Sequence, residues 1–143
     1  MHFLKETLKS KKGLSKTEIV FGVLLIVLLF GLSVPKFMDI LGKCREGRTI
    51  HNLNRLRSAI AAYYGENRGE YPTDNLQSLT PRYIEKIPFV FNQETGPSDK
   101  VITGKPDYTG GWVYVNDPND FNWGDIKINL KGQDSTGKRW EDL

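Results

Sequence analysis

The chain has 143 residues, the length of a single domain, and its 20 Lys and Arg residues stand against 17 Asp and Glu residues. Residues 1–13 hold four lysines and one glutamate, so the remaining residues carry 16 charges of each sign. This neutral balance gives no reason to expect a nucleic-acid partner. Cys44 is the only cysteine, which excludes an intrachain disulfide.

The most informative stretch joins a lysine-rich N-terminal segment to an apolar run. Lys12-Gly13-Leu14-Ser15-Lys16-Thr17-Glu18 comes first, the uncharged residues 19–34 follow, and Pro35 comes next. A carboxylate at the edge of such a run is expensive to carry into lipid, so it usually has a partner or a function. The small residue Gly13 favours proteolytic cleavage on the near side of the run, whereas signal peptidase cuts on the far side.

Two other interpretations of the apolar run remain open. Gly31-Leu32-Ser33 is a passable signal-peptidase site, although Glu18 and the helical pattern beyond Ser33 count against it. The run is also at the short end of membrane-spanning lengths, so a plain single-pass anchor is the second alternative. Lysines and arginines flank the run on both sides, and the positive-inside rule therefore leaves its orientation undecided.

A helical pattern continues beyond Pro35, where apolar residues recur at three- and four-residue steps. The sequence predicts a helix from about Glu18 to about Tyr64, apolar all round in its first half and amphipathic in its second. We expect Pro35 to be a local weak point and Cys44 to be a packed helix residue rather than a metal or redox site. The apolar stripe of the second half consists of Ile40, Leu41, Cys44, Ile50, Leu53, Leu56, Ile60, Tyr63 and Tyr64.

These N-terminal features resemble the leader and first helix of type IV pilins and type II secretion pseudopilins. The resemblance implies that a prepilin peptidase cleaves between Gly13 and Leu14 and that Leu14 is then N-methylated. It assigns Glu18 and Pro35 to filament assembly. It also implies a cytoplasmic leader, a single pass through the bacterial inner membrane and a head domain in the periplasm. The expected partners are further copies of the chain, the peptidase, the inner-membrane assembly platform and minor pseudopilins.

The segment after the helix, residues 67–88, contains paired prolines and polar residues and predicts a loop with one or two short helical turns. Three pieces of sequence resemble the helix end and following loop of the type II secretion major pseudopilin: Ala59-Ile60-x-x-Tyr63, Gly69-x-Tyr71-Pro72 and Tyr83-Ile84-x-Lys86-Ile87-Pro88. Many type IV pilins close their C-terminal region with a disulfide, which this chain lacks. The apolar residues expected to hold the loop on a core are Leu76, Leu79, Tyr83, Ile84 and Ile87.

The last third of the chain predicts a small antiparallel sheet. Residues 111–115 are aromatic and β-branched, and residues 125–130 alternate at period two. A short edge element is expected near Arg139-Trp140, and residues 92–109 lack a pattern and predict a surface loop. In the second strand, Ile126, Ile128 and Leu130 are expected to face the helix, and Lys127 and Asn129 to face water.

A calcium site is one hypothesis for the turn between these strands. Asp117, Asn119, Asp120 and Asp125 supply oxygen ligands within a short segment, which suits a hard cation. Major pseudopilins often hold calcium in a C-terminal loop, although the longer calcium loop of that family is not clearly matched in this chain. The spacing does not reproduce an EF-hand, however, and Asp and Asn in turns usually serve turn geometry.

Catalysis has little support in the sequence. His2 and His51 are isolated, and no catalytic triad, paired-cysteine metal spacing or glycine-rich phosphate loop is present. We therefore predict that the chain is not an enzyme.

The predicted fold class is α+β, with a long N-terminal helix packed on a small antiparallel head. The predicted divisions are a leader (1–13), a membrane and assembly segment (14–35), an amphipathic helix half (36–66) and a head (67–143). The resemblance implies a filament subunit, closest to the major pseudopilin of type II secretion. The alternatives are a disulfide-free type IV pilin and, in a different class, a membrane-anchored periplasmic binding or sensor module.

Overall fold

The computed structural model describes residue 13, residues 15–93 and residues 96–143. The predicted leader up to residue 12, and Leu14 of the predicted cleavage site, lie outside the described residues. One long helix, α1, covers Lys16–Glu66, within two residues of both predicted ends. Short strands follow it, so the α+β class is confirmed. The chain divides into two compact units, residues 1–40 and residues 41–143.

Helix α1 runs through Pro35 without interruption. A proline inside a helix removes one backbone hydrogen bond and crowds the preceding turn, so some local weakening is expected. In the single chain this weakening does not break the helix. Loosening of the helix at Pro35 within an assembly stays a prediction.

The second unit contains two small sheets. Strand β1 (Val90–Asn92) pairs antiparallel with β2 (Gly96–Ser98). In the other sheet, β4 (Trp112–Tyr114) lies between β3 (Val101–Thr103), which runs parallel to it, and β5 (Ile126–Ile128), which runs antiparallel. The sheet is therefore mixed, and the prediction of a purely antiparallel sheet is wrong in this respect.

Strands β2 and β3 both reach into residues 92–109, where the sequence predicted a surface loop. Val101–Thr103 is β-branched, but three residues are too few to display an alternating pattern. Parallel neighbouring strands usually need a connection of a dozen or more residues. The connection from β3 to β4 is shorter, and its last residue is Gly111. Gly111 has a φ of +79°, and a Cβ there would collide with the carbonyl oxygen of Lys100. The Trp112 N–H donates to that same oxygen at 2.8 Å.

The core of the second unit is built from α1, the loop after it and the three-stranded sheet. Trp112 and Tyr114 of the middle strand are fully buried. The Trp112 indole N–H donates to the carbonyl of Pro88, and the Tyr114 hydroxyl donates to the carbonyl of Pro72, each at 2.8 Å. The loop after α1 contains the expected short helical turn, a 3-10 turn at Gln77–Leu79. Other buried apolar residues are Leu53, Leu56, Ala59, Ile60, Leu76, Leu79, Ile84, Val90, Ile126, Ile128, Leu130 and Trp140.

The apolar stripe of α1 is buried over only part of its predicted length. Cys44 is exposed, so the prediction that it packs is wrong. Ile40 and Leu41 are 55% and 38% exposed. The reason is that the core begins at Thr49, the first buried residue of the described part of α1. The Thr49 hydroxyl accepts from the Phe91 N–H at 3.1 Å, which fixes β1 beside the helix.

Asn129 is the second departure from the predicted pattern, because it is fully buried instead of facing water. Strand β5 ends at Ile128, so the alternation no longer decides where the next side chain points. The Asn129 amide nitrogen donates to Asp107 Oδ1 at 2.6 Å and to the Gly110 carbonyl at 2.9 Å. Its oxygen accepts from the Tyr108 N–H at 2.9 Å. Asn129 thus holds the β3–β4 connection in place; Lys127 is exposed, as predicted.

We predict a pH-dependent destabilisation for Asp107→Asn. Hydrogen bonds from Asn129 and then Thr109 lower the pKa of the Asp107 carboxyl below its ordinary 3.8. A carboxyl with a lowered folded-state pKa stabilises the fold above its unfolded pKa and loses that contribution as pH falls toward the folded value. The variant should therefore melt below the wild type at about pH 7, and the gap should narrow below about pH 4.

Thermal melts of the full chain in detergent, followed by circular dichroism, measure this gap. Asp99→Asn, in the same exposed stretch, is the matched control and should leave the melting temperature unchanged. A gap for Asp107→Asn that is independent of pH would contradict the assignment.

Candidate functional site

The described residues of the first unit present an exposed apolar surface along α1. Every large apolar side chain from Ile19 to Val34 is at least 51% exposed. By length and composition, this helix near the N-terminus is able to cross a membrane. Isolated water-soluble domains rarely expose apolar patches larger than a few hundred Å². A surface of this kind needs lipid or the apolar faces of other helices around it.

Glu18 lies at the start of this helix and caps it. The Ser15 N–H donates to Glu18 Oε2 at 2.8 Å, and the Ile19 N–H donates to the Ser15 carbonyl at 3.1 Å. Ser-x-x-Glu is the sequence pattern of a capping box, in which the glutamate accepts from the first residue's backbone N–H. Sequence reasoning singled out Glu18 as a charge next to an apolar run and missed this local role, although Ser15-Lys16-Thr17-Glu18 contains the signal.

Gly13 of the predicted cleavage site has no packing role in the described structure. Gly13 is exposed, and a Cβ at that position would meet no atom within 4 Å. The same holds for Gly31, near the alternative cleavage site. Leu14 is outside the described residues. Packing therefore does not explain why residue 13 is a glycine. A requirement imposed by another molecule would explain it.

The predicted calcium ligands are spread along a loop in which Asp117 and Asp120 accept hydrogen bonds within their own turns and Asp125 pairs with a lysine. Asp117 Oδ1 accepts from the Asn119 N–H at 2.9 Å and from the Asn119 amide nitrogen at 3.0 Å. Asp120 Oδ1 accepts from the Asn122 N–H at 2.8 Å, and Asp125 lies 3.6 Å from the Lys127 ammonium. Within the described residues no three His, Cys, Asp or Glu side chains are grouped to hold a metal. As placed, these residues do not fit a resident calcium ion.

Aromatic packing fixes the base of this loop, a feature that sequence reasoning did not assign to it. The Tyr71 ring stacks on Tyr64 of α1, with centroids 4.4 Å apart, and meets the edge of Trp123 at 5.5 Å. Gly124, with a φ of +90°, lies so close to Tyr71 that a Cβ would come within 2.6 Å of the ring. The Gly124 N–H also donates to the Val115 carbonyl at 2.9 Å.

Comparisons of this chain with protein-family models, with curated proteins and with solved structures find no match. The function must therefore be argued from the residues themselves.

We predict that calcium does not stabilise the head. A ligand that binds only the folded state raises its stability by mass action. Because the described carboxylates of this loop are not grouped to hold a metal, excess calcium should shift the melting temperature by less than about 2 °C relative to a chelator. The measurement is a thermal melt of the full chain in detergent, with magnesium as the control for ionic strength.

A calcium-specific rise of several degrees that disappears in Asp117→Asn would restore the calcium hypothesis.

Proposed function

We propose that this chain is the structural subunit of a pilus-like filament, processed by a prepilin peptidase. Within that class, we propose the major pseudopilin of a type II secretion system, anchored in the bacterial inner membrane with its head in the periplasm. The single observation that supports this most strongly is the division of α1. Its first part exposes apolar side chains, headed by Glu18, and its second part packs on a small head.

The apolar half of α1 supports assembly as well as anchoring. A lone membrane anchor needs only an apolar surface, and a carboxylate at its edge brings an unfavourable desolvation energy. In a bundle of such helices, a positive group from a neighbouring helix can pair with that carboxylate where water is excluded. Cleavage after Gly13 would create such a group, the new ammonium of Leu14.

The head supports a structural role over a catalytic one. The buried polar side chains described in the second unit, Thr49 on α1 and Asn129 in the head, both bind backbone groups of neighbouring segments. They therefore stabilise connections and do not line a reactive cleft. A pilus pilin would share this physical design, and the likeness of residues 59–88 to the major pseudopilin is what favours secretion.

The first prediction is that the mature chain begins at Leu14 and carries one N-methyl group. Intact-mass measurement of membrane-extracted protein from a host with a prepilin peptidase tests both. Replacing Gly13 by a bulky residue (Gly13→Val) should leave the precursor uncleaved, because peptidases that cut at small residues reject branched side chains there. Gly31→Ala is the matched control and should be processed normally. A mature terminus at Val34 would instead establish an ordinary signal peptide.

The second prediction separates the cap from the ion pair at Glu18. Glutamine keeps the acceptor that a capping box needs but lacks the charge. If the charge pairs with a neighbouring Leu14 ammonium, Glu18→Gln should assemble as poorly as Glu18→Ala. Both should lose about ten-fold or more in filament yield, because an unpaired buried charge destabilises by several kcal/mol.

Sheared-filament yield, normalised to processed protein in the membrane, is the measurement, and Glu85→Gln on the exposed head surface is the control. Normal assembly of Glu18→Gln together with failure of Glu18→Ala would mean that Glu18 acts as a helix cap alone.

A further inference from the structure

One side chain of the second unit stands apart in its exposure. Phe121 is 101% exposed, whereas no other large apolar residue described in that unit exceeds 42%. Burying an aromatic ring stabilises by roughly 1.5–3 kcal/mol, so complete exposure forgoes this gain. Aromatic residues are also frequent anchors of protein interfaces. Phe121 is therefore a candidate anchor for a partner surface.

The loop that carries this residue, residues 116–125, is held in one shape, and we call it the Phe121 loop. Phe121 lies within a tight turn, in which the Trp123 N–H donates to the Asp120 carbonyl at 3.0 Å. The Asp120 N–H donates to the Asp117 carbonyl, also at 3.0 Å. A preorganised loop loses little conformational entropy when it binds. The loop therefore presents its aromatic residue ready for contact.

A groove of about 430 Å³ lies on the same unit, and we call it the Arg45 groove. Aromatic and aliphatic residues form part of its lining, and Arg45 and Lys131 add positive charge. Glu46 also lines it, but its Oε2 accepts from the Ser135 N–H at 3.0 Å. The apolar and aromatic lining residues are Phe91, Tyr108, Leu130 and Trp140.

The groove and the loop lie at opposite ends of the part of α1 that packs on the head. The loop is attached near Tyr64 through Tyr71 and Trp123. Arg45 lies about 30 Å earlier along the helix, at 1.5 Å per residue. The base of the Phe121 loop is therefore held away from the Arg45 groove of its own chain.

We propose that the Phe121 loop of one copy docks into the Arg45 groove of the next copy. The loop carries Asp117, Asp120 and Asp125 and contains no Lys or Arg, while the groove presents Arg45 and Lys131. An aromatic anchor with acidic flanks thus meets an aromatic-lined groove with basic groups. Because the two surfaces differ, a docked pair keeps one loop and one groove free, so the contact can extend from copy to copy along a filament. This inference rests on the proposed filament and names the head contact within it.

Cysteine cross-linking in membranes of the assembling cell tests this contact directly. In a Cys44→Ser background, Asn122→Cys marks the loop and Gln133→Cys marks the groove. Mild oxidation should then link copies into a ladder of covalent multimers on a non-reducing gel. The matched control pairs Asn122→Cys with Asn54→Cys, an exposed position elsewhere on α1, and should give no ladder.

Four variants in the reporter background assign the contact to its residues. Phe121→Ser should reduce the ladder about ten-fold or more, as loss of an interface anchor does. Phe89→Ser, a partly exposed aromatic outside both surfaces, should leave it unchanged. Asp120→Lys should weaken the ladder, and Lys131→Asp in the same chain should restore it if the two charges meet between copies.

The outcomes separate this inference from the filament proposal. Processed chains that form filaments but give no Asn122–Gln133 ladder would overturn the docking and leave the filament standing. A ladder unaffected by Phe121→Ser would also overturn it. A Phe121-dependent ladder in chains that stay uncleaved and form no filament would support the docking and count against the filament.

Discussion

The burial of Trp112 and Tyr114 in the middle strand is the interaction on which the head depends. Both rings are fully buried, and both have a polar atom that needs a partner in the core. The partners are the carbonyls of Pro88 and Pro72, at the two ends of the segment after α1. Strand β4 therefore holds the loop after α1 through these two side-chain hydrogen bonds, and it holds β3 and β5 through its backbone. A short strand can do this only because its side chains bond outside the sheet.

The sequence predicted the features that repeat over many residues and missed those fixed by single contacts. Helix α1 was found almost to the residue because its apolar pattern extends over many turns. Strand β3 was missed, since its three residues gain their position from Lys100 and Gly111 and not from a pattern of their own. Asn129 was assigned to the wrong side because alternation was extended one residue past the strand. Cys44 was assigned to the core because a stripe shows which face is apolar but not where the head begins.

At the start of α1, Glu18 has an observed local role and, in the proposed filament, a second role between copies. Glu18 accepts the Ser15 N–H in the single chain, which uses one of its two carboxylate oxygens. An ionised carboxylate can accept about four hydrogen bonds, so the cap leaves capacity for a second partner. Capping stabilises the helix start by about 0.5–2 kcal/mol in water. The local bond explains an acceptor at this position, and the positive N-terminal end of the helix dipole already favours a glutamate over a glutamine before any partner is added.

Apolar packing and directional contacts have different tasks in an assembly of such chains. Hydrophobic attraction is non-directional and roughly proportional to buried area, so in the proposed filament it would fix the register between the Ile19–Val34 surfaces of neighbouring copies only weakly. A regular filament needs interactions that fail when the register changes. Charge pairs and an aromatic anchor in a fitted groove have this property, because a shift of a few Å separates their atoms. The chain carries candidates for both, Glu18 at the helix start and Phe121 on the head. Register in this chain is therefore expected to come from few residues, and affinity from many.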